Sequence, residues 1–185
     1  MMKTNLAAYN NDWYKPGRPA VVRLLWLLTS VLFVQCNWNP LSSVRVRLLR
    51  LFGAKIGKGV IIKPGVQIKY PWYLSIGDHC WIGEHVWIDN LTSVTIGNDV
   101  CLSQAAYLLT GNHDYKKSTF DLIVKPIVLE DGVWIGAKAI VCPGVICRSH
   151  AVVTAGSVVR NELQSYTINS GNPAVFIKER VFQVS

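Results

Sequence analysis

The sequence predicts an all-β fold, a parallel β-helix, with an N-terminal helical segment ahead of it and a short C-terminal helix after it. Three observations predict the β-helix: aliphatic residues recur at every sixth position from Ile56 to Val159, small residues recur in companion columns of the same period, and the register breaks in only a few places. The aliphatic column runs Ile56, Ile62, Ile68, Leu74, then after two extra residues Ile76, Ile82, Ile88, Val94, and after two more Ile96, Leu102, Leu108. It resumes at Leu129, Ile135, Val141, Cys147, Val153 and Val159. Sixteen of these seventeen positions are Leu, Ile or Val. The chain holds 56 such residues in 185, so composition alone would place about five there. Gly follows the aliphatic at 57, 77, 83, 97 and 136. Four residues after it stand Val60, Val66, Cys80, Val86, Val100, Ala106, Val133, Ala139, Val145, Ala151 and Ser157. An α-helix has no period of six. Each hexad reads as a short strand and a tight corner, and it cannot bury its own apolar pair. Hexads must therefore stack, with strands ~4.8 Å apart, until an interior closes.

Residues 1–55 differ in kind from the repeat region. They carry eight Lys and Arg against one acid, Asp12, whereas 56–185 carry eleven against ten, so the formal charge of +8 belongs to the N-terminal segment. A nearly neutral body without basic residues interleaved with aromatics excludes nucleic-acid binding. Within the segment, Ala20 to Cys36 is a seventeen-residue apolar run broken by Arg23. That is at the short edge of a membrane span. With no small-residue cleavage site, and with eleven polar or aromatic residues and two prolines preceding it, it does not read as a signal peptide. Two readings stay open for residues 18–55. One is a helical cap on the body or on a sister subunit. The other is a helix on an anionic membrane surface, flanked by Arg18, Arg23, Arg45, Arg47, Arg50 and Lys55.

The body is expected over 56–170, and 171–185 as a tail. A chain 50% hydrophobic and 16% charged makes one compact core and excludes disorder. Five cysteines without a CxxC pair argue for reduced thiols and a cytoplasmic location, peripheral at the inner membrane face if the apolar helix meets lipid. Cys80 and Cys147 fall on inward columns and read as small apolar residues, while Cys101 and Cys142 lack a paired base. His79 and His85 have no third histidine at a zinc-site spacing, so no metal is expected.

The long break carries the chemistry. Twenty-one residues separate Leu108 from Leu129 where six would do, so a loop is thrown out at about 110–126. Long loops on rigid scaffolds are where function concentrates. His79, His85 and His150 each fall three residues after an inward aliphatic, at coil corners; His113 alone sits where the helix gives way to the loop. A neutral imidazole takes a proton near pH 7, which makes His113 the candidate general base. Either Asp114 or a backbone carbonyl would orient it. Trp81 and Trp87, six apart at equivalent register, with Asp89 and Asn90 after them, suit a sugar acceptor, whose C–H faces stack on aromatics while its polar edges bond to carboxylate or amide. Asn112 and Asp114 join that candidate acceptor set.

The loop Gly111-Asn112-His113-Asp114-Tyr115 resembles the catalytic loop of sugar O-acetyltransferases in the hexapeptide-repeat superfamily. The runs Lys63-Pro64-Gly65-Val66, Lys69-Tyr70-Pro71-Trp72, Trp81-Ile82-Gly83-Glu84, Trp87-Ile88-Asp89-Asn90-Leu91 and Gly171-Asn172-Pro173-Ala174 resemble the colanic acid biosynthesis acetyltransferases along almost the whole chain. The resemblance implies a left-handed β-helix of three hexads per coil, between five and six coils, a homotrimer with sites between neighbours, and acetyl-CoA as co-substrate with no tightly bound cofactor. It implies that His113 deprotonates a sugar hydroxyl for attack on the thioester, and that the acceptor is a sugar or glycan, lipid-linked or free. Along the galactoside-type members it places Trp134, Ala137 and Ala155 on the pantetheine arm and Lys178 near the nucleotide phosphates. Arg160 and Asn161 stand where those members have Thr-Lys, which leaves Arg160, Lys178 and Arg180 as substitutes. N-acylation of an amino sugar nucleotide and a non-catalytic scaffold are the competing readings.

Overall fold

The computed structural model describes residues 3–183 and is a three-sided solenoid. The first face stacks Lys55–Ile56, Leu74–Ile76, Val94–Ile96, Ile127–Leu129 and Ile146–Cys147. The second stacks Ile61–Ile62, Trp81–Ile82, Cys101–Leu102, Trp134–Ile135, Val152–Val153 and Thr167–Gly171. The third stacks Gln67–Ile68, Trp87–Asp89, Tyr107–Leu109, Ile140–Val141 and Val158–Val159. All these pairings are parallel, and the register places like on like, as in Ile62↔Ile82, Ile82↔Leu102, Leu102↔Ile135 and Ile135↔Val153. Five coils are complete, and a bridge from Cys147 to Leu163 begins a sixth. Every residue of the aliphatic column except Ile56 is buried, and so is every residue of the small column except Val60; both exceptions lie in the first coil. Each fully buried aliphatic side chain contributes roughly 1.5–3 kcal/mol, which is why the period of six is so strictly kept.

The corners explain the rest of the hexad. Three residues after the inward aliphatic the backbone is left-handed, at Gly59, Gly65, Gly132, Gly144 and Gly156, but also at His79, His85, Asp99, Ala105, Lys138 and His150. Non-glycine residues in that region are strained. Side-chain ladders along the edge offset this. Asp131 accepts from the Asn98 N–H at 2.7 Å, Asn98 from Asp78 at 2.9 Å, and Asp78 from Lys58 at 2.9 Å. His79, His85 and His150 lie over Gly59, Gly65 and Gly132 one coil away, where a Cβ would collide with the ring. These three histidines are corner residues.

The edge between the third and first faces is different. The first coil leaves it through the turn Pro71–Tyr73, the second through residues 90–93, and the third through the excursion at 110–126. All the register breaks seen in the sequence stack on this one edge.

The N-terminal segment forms helix α1, Ala20–Thr29, continued by a wide turn Ser30–Val34, and helix α2, Ser42–Leu51. Val46 and Leu49 of α2 join the core above Ile62, so this segment covers the open end of the solenoid. Trp26 of α1 is buried, donates its indole N–H to the Ile68 carbonyl at 3.0 Å, and packs on Phe52 at 5.1 Å. Arg45 is fully buried and donates to the carbonyls of Val34, Cys36 and Asn39, tying the two helices together. No helix among the described residues is long and apolar enough to cross a membrane.

The expected short C-terminal helix is not formed. Ala174–Glu179 is a strand antiparallel to Thr167–Gly171, with a register shift at Ile168/Asn169. Gly171, at φ 104°, and Pro173 turn the chain back on itself, and the run Val175-Phe176-Ile177 favours an extended backbone.

Candidate active site

The excursion is held at its root. Thr110 is buried, donates to the Asp89 carbonyl at 3.1 Å and accepts from the Leu91 N–H at 2.8 Å. Gly111 comes next because a Cβ there would run into the Leu91 side chain. Gly111–His113 then pairs antiparallel with Leu122–Val124, with His113 opposite Leu122. At the tip Phe120 sits in the left-handed region at φ 54° and turns its carbonyl toward the histidine. His113 Nδ1 lies 2.9 Å from that oxygen, and the two rings stack at 4.5 Å and 8°. A carbonyl can only accept, so Nδ1 carries the proton and Nε2 keeps its lone pair. Asp114 does not orient the imidazole. Its Oδ1 accepts from the Lys116 N–H at 3.0 Å and caps the turn. Asn112 Oδ1 accepts from the His113 N–H at 2.8 Å.

His113 opens on a cleft of about 660 Å³. Its walls are Asp89 and Leu91 from the second coil, Gly111 and Asn112 from the ribbon, and Tyr9, Asn11, Tyr14 and Lys15 from the N-terminal segment. Arg23, Lys69 and Tyr70 close it. The segment is fastened over the loop by Asn5, whose N–H donates to the Ser118 carbonyl at 2.8 Å, and by the Tyr14 hydroxyl, which donates to the Leu91 carbonyl at 2.7 Å. Burial, then Tyr70, Tyr73 and Asp89, push the Tyr14 hydroxyl well above the usual phenol range, so it stays neutral. Lys69 pairs with Asp89 at 2.9 Å. Tyr9 stands 5.8 Å from the His113 ring. This N-terminal wall has little trace in the sequence; the polar and aromatic run Tyr9-Asn10-Asn11-Asp12-Trp13-Tyr14 is its only signal.

The other candidate acceptor residues separate. Trp87 stacks on Tyr107 at 4.5 Å and lines an adjoining hollow of about 350 Å³ with Arg23, Trp26, Leu27, Lys69 and Asp89. Trp81 lies on the second face under Lys63, away from the cleft, because one hexad carries the chain a full face around the solenoid. Asn90 is fully buried. It accepts from the Tyr70 N–H at 3.0 Å and donates to the Tyr70 carbonyl at 2.7 Å, so it splices one corner to the next and offers nothing to a ligand.

On the edge between the second and third faces a groove of about 370 Å³ brings together Trp134, Ala137 and Ala155 with Ser103, Gln104 and Thr154. Trp134 donates its indole N–H to Ser103 Oγ at 2.9 Å. The register Trp134↔Val152↔Ile168↔Lys178 puts Lys178 in the same row, three strands on, or about 14 Å from Trp134 at ordinary strand spacing. Arg160 instead ends the third face and faces Cys142. Arg180 is occupied, donating to the Gly132 and His150 carbonyls at 3.0 and 3.1 Å. The groove and His113 stand on different edges of one chain.

The profile described as hexapeptide repeat of succinyl-transferase matches residues 73–106 and 126–160. The chain is 41% identical over 170 residues, 91% of its length and 92% of the relative's, to the Escherichia coli (strain K12) protein that carries the name colanic acid biosynthesis acetyltransferase WcaF. The chain belongs to the hexapeptide-repeat acetyltransferases. It is also 27% identical to the galactoside O-acetyltransferase of the same organism, over 80% of this chain and 75% of that one. A hexapeptide-repeat acetyltransferase from Vibrio cholerae, solved with acetyl coenzyme A, superposes with a TM-score of 0.78 at 26% identity over 88% of both chains.

As a hexapeptide-repeat acetyltransferase the chain winds left-handed and uses acetyl-CoA as its co-substrate, which sets the scaffold reading aside. The four cysteines of the solenoid are unsuited to nucleophilic work. Burial raises the thiols of Cys80, Cys101 and Cys142, and pushes Cys147 to about 12. No group of three or more metal-ligating side chains stands together among the described residues.

Proposed function

We propose that this acetyltransferase transfers the acetyl group of acetyl-CoA to a sugar hydroxyl during synthesis of an exopolysaccharide or related glycan, with His113 as general base. The observation that carries the reading is the anchored imidazole: Nδ1–H held by the Phe120 carbonyl leaves a basic Nε2 at a cleft of polar and aromatic side chains. Nε2 takes the hydroxyl proton as the oxygen attacks the thioester carbonyl. The tetrahedral intermediate then collapses, the C–S bond breaks, and the thiolate of CoA takes the proton back from the imidazolium. The names carried by the galactoside and lipopolysaccharide O-acetyltransferase relatives support a hydroxyl acceptor, and the name of the colanic acid relative supports a glycan product.

The donor in this reading lies along Trp134, Ala137 and Ala155, with Lys178 at the phosphate end. Because that groove and His113 occupy different edges, the enzyme works as a homotrimer in which His113 of one protomer faces the groove of the next. The test is acceptor-dependent thiol release from acetyl-CoA with a panel of saccharides, and mass spectrometry of the product. An added acetyl group that mild alkali removes is an ester on oxygen. An alkali-stable acetyl group, or no acceptor-dependent thiol release, would refute the reading, and a monomer with full activity would refute the shared site.

A further inference from the structure

Arg23 lines two adjoining cavities, one mainly polar and one mainly apolar. On one side is the polar cleft that holds His113; on the other is the smaller hollow, which shares Lys69, Tyr70 and Asp89 with the cleft and whose own walls are mainly the apolar surfaces of Trp26, Leu27, Ile68 and Trp87, with Ser30, Gln35 and Gln67 between them. Its Nε is buried without a hydrogen-bond partner, and no carboxylate pairs with it among the described residues. Lys15 and Lys69 line the same cleft, and the one carboxylate there, Asp89, is engaged by Lys69. The cleft therefore holds two positive charges in excess. A neutral sugar hydroxyl has no use for them, whereas an anion does.

Beyond the hollow lie α1 and the wide turn that continues it. Trp26, Ser30 and Val34 turn inward, while Leu24, Leu25, Leu28, Val31 and Leu32 are each more than half exposed. Leu27, also exposed, links this outer face to the hollow. From His113 outward the surface thus reads in a fixed order: sugar-suited cleft, cation, apolar hollow, apolar helix face. A glycan joined through phosphate or diphosphate to a hydrocarbon chain has the same order of chemistry. A sugar nucleotide would instead place a polar ribose where the surface turns apolar.

We propose that the acceptor is a lipid-linked glycan, its phosphate or diphosphate held at Arg23 with Lys15 and Lys69, and its hydrocarbon chain led through the hollow onto α1 at a membrane surface. The proposal deepens the acetyl-transfer reading and takes its sugar position from it, but its test does not depend on turnover. Geranyl diphosphate is titrated calorimetrically into the full chain, with inorganic diphosphate, geraniol and uridine diphosphate as separate arms. Geranyl diphosphate is expected to bind at least about tenfold tighter than each of the three, as one charge-assisted anion site plus a buried chain allows. Arg23→Gln, and independently the exposed Lys15→Gln, weaken geranyl diphosphate and inorganic diphosphate alike. Leu27→Gln weakens geranyl diphosphate only. Equal affinity for geranyl and inorganic diphosphate, or wild-type binding by both cation variants, would overturn the proposal. Uridine diphosphate binding as tightly as geranyl diphosphate would assign the cation site to a sugar nucleotide and overturn the lipid. His113→Ala binds geranyl diphosphate like wild type, so a failure of the acetyl-transfer reading appears only in thiol release and leaves the titration interpretable.

Discussion

Replacing His113 by Ala isolates one atom, the Nε2 lone pair. The side chain touches little else: it stacks on Phe120 and donates to that residue's carbonyl at 2.9 Å, at the edge of an open cleft. Truncation should therefore cost less than about 1 kcal/mol of stability, in the range of surface substitutions. The loss of a positioned base lowers turnover by roughly 10²–10⁴, or about 3–5 kcal/mol of barrier. The groove proposed for the donor stands on another edge, so the KM for acetyl-CoA stays within about twofold of wild type, the margin left to a change outside the donor's contacts. The assay is thiol release at saturating acetyl-CoA, with Tm and a CoA titration run on the same preparation. His113→Gln is the control, because its amide can still donate to the Phe120 carbonyl but cannot take a proton at neutral pH. Both variants should be equally slow. Turnover near wild type in His113→Ala, or its recovery in His113→Gln, would refute the assignment of a base and leave the ring a packing role.

Phe120→Val places a β-branched residue at φ 54°, which moves the carbonyl off Nδ1. It should lower kcat about tenfold with the KM for acetyl-CoA unchanged, while Phe120→Gly, at home in that conformation, keeps most of the turnover. Ala155→Leu projects into the groove beside Trp134 and Ala137, so the KM for acetyl-CoA should rise about tenfold with no change in Tm; unaltered donor kinetics would place the donor elsewhere. Arg45→Ala leaves the carbonyls of Val34, Cys36 and Asn39 buried without a donor, and thermal unfolding should report a Tm lower by about 10 °C. An unchanged Tm would mean that the helical cap is not part of the cooperative fold.

What the sequence discloses here comes from repetition. A hexad must bury its aliphatic in the same column as its neighbours, so even Cys147 is assigned to the interior by register alone, and it is fully buried. His113 is legible for the converse reason, as the one histidine at a break in the period. Where residues lie outside the period, the sequence is silent or misleading. Tyr9, Asn11, Tyr14 and Lys15 reach the cleft only because the N-terminal segment folds back over the loop, a contact with no local signature. Trp81 and Trp87 share a register position, but equivalent positions on successive hexads face outward on different sides. Asn90 shows a further limit. An amide that binds a sugar and one that splices two corners look the same in sequence, and burial decides between them.

The accuracy of the site comes from where the irregularities are stacked. In the first three coils equivalent residues are 20 apart, as in Ile68 and Ile88 or Ile88 and Leu108, and the surplus pair always emerges at the edge between the third and first faces. The last two complete coils return to 18, as in Val141 and Val159, and that edge closes with a plain glycine corner at Gly144. The long loop is thus seated on two preformed corners. Asn90 fixes the second corner to the Tyr70 backbone, Thr110 fixes the loop root to Asp89 and Leu91, and Gly111 rests against Leu91. Each step is a hydrogen bond or contact between buried or half-buried groups that water cannot replace without leaving a polar atom unpaired. His113 is three residues from this anchored root, and its ring is pinned again by Phe120. A side chain on a long insertion would otherwise lose in disorder what it gains in reach; here the rigid solenoid extends through the corner stack to within one short ribbon of the proposed base.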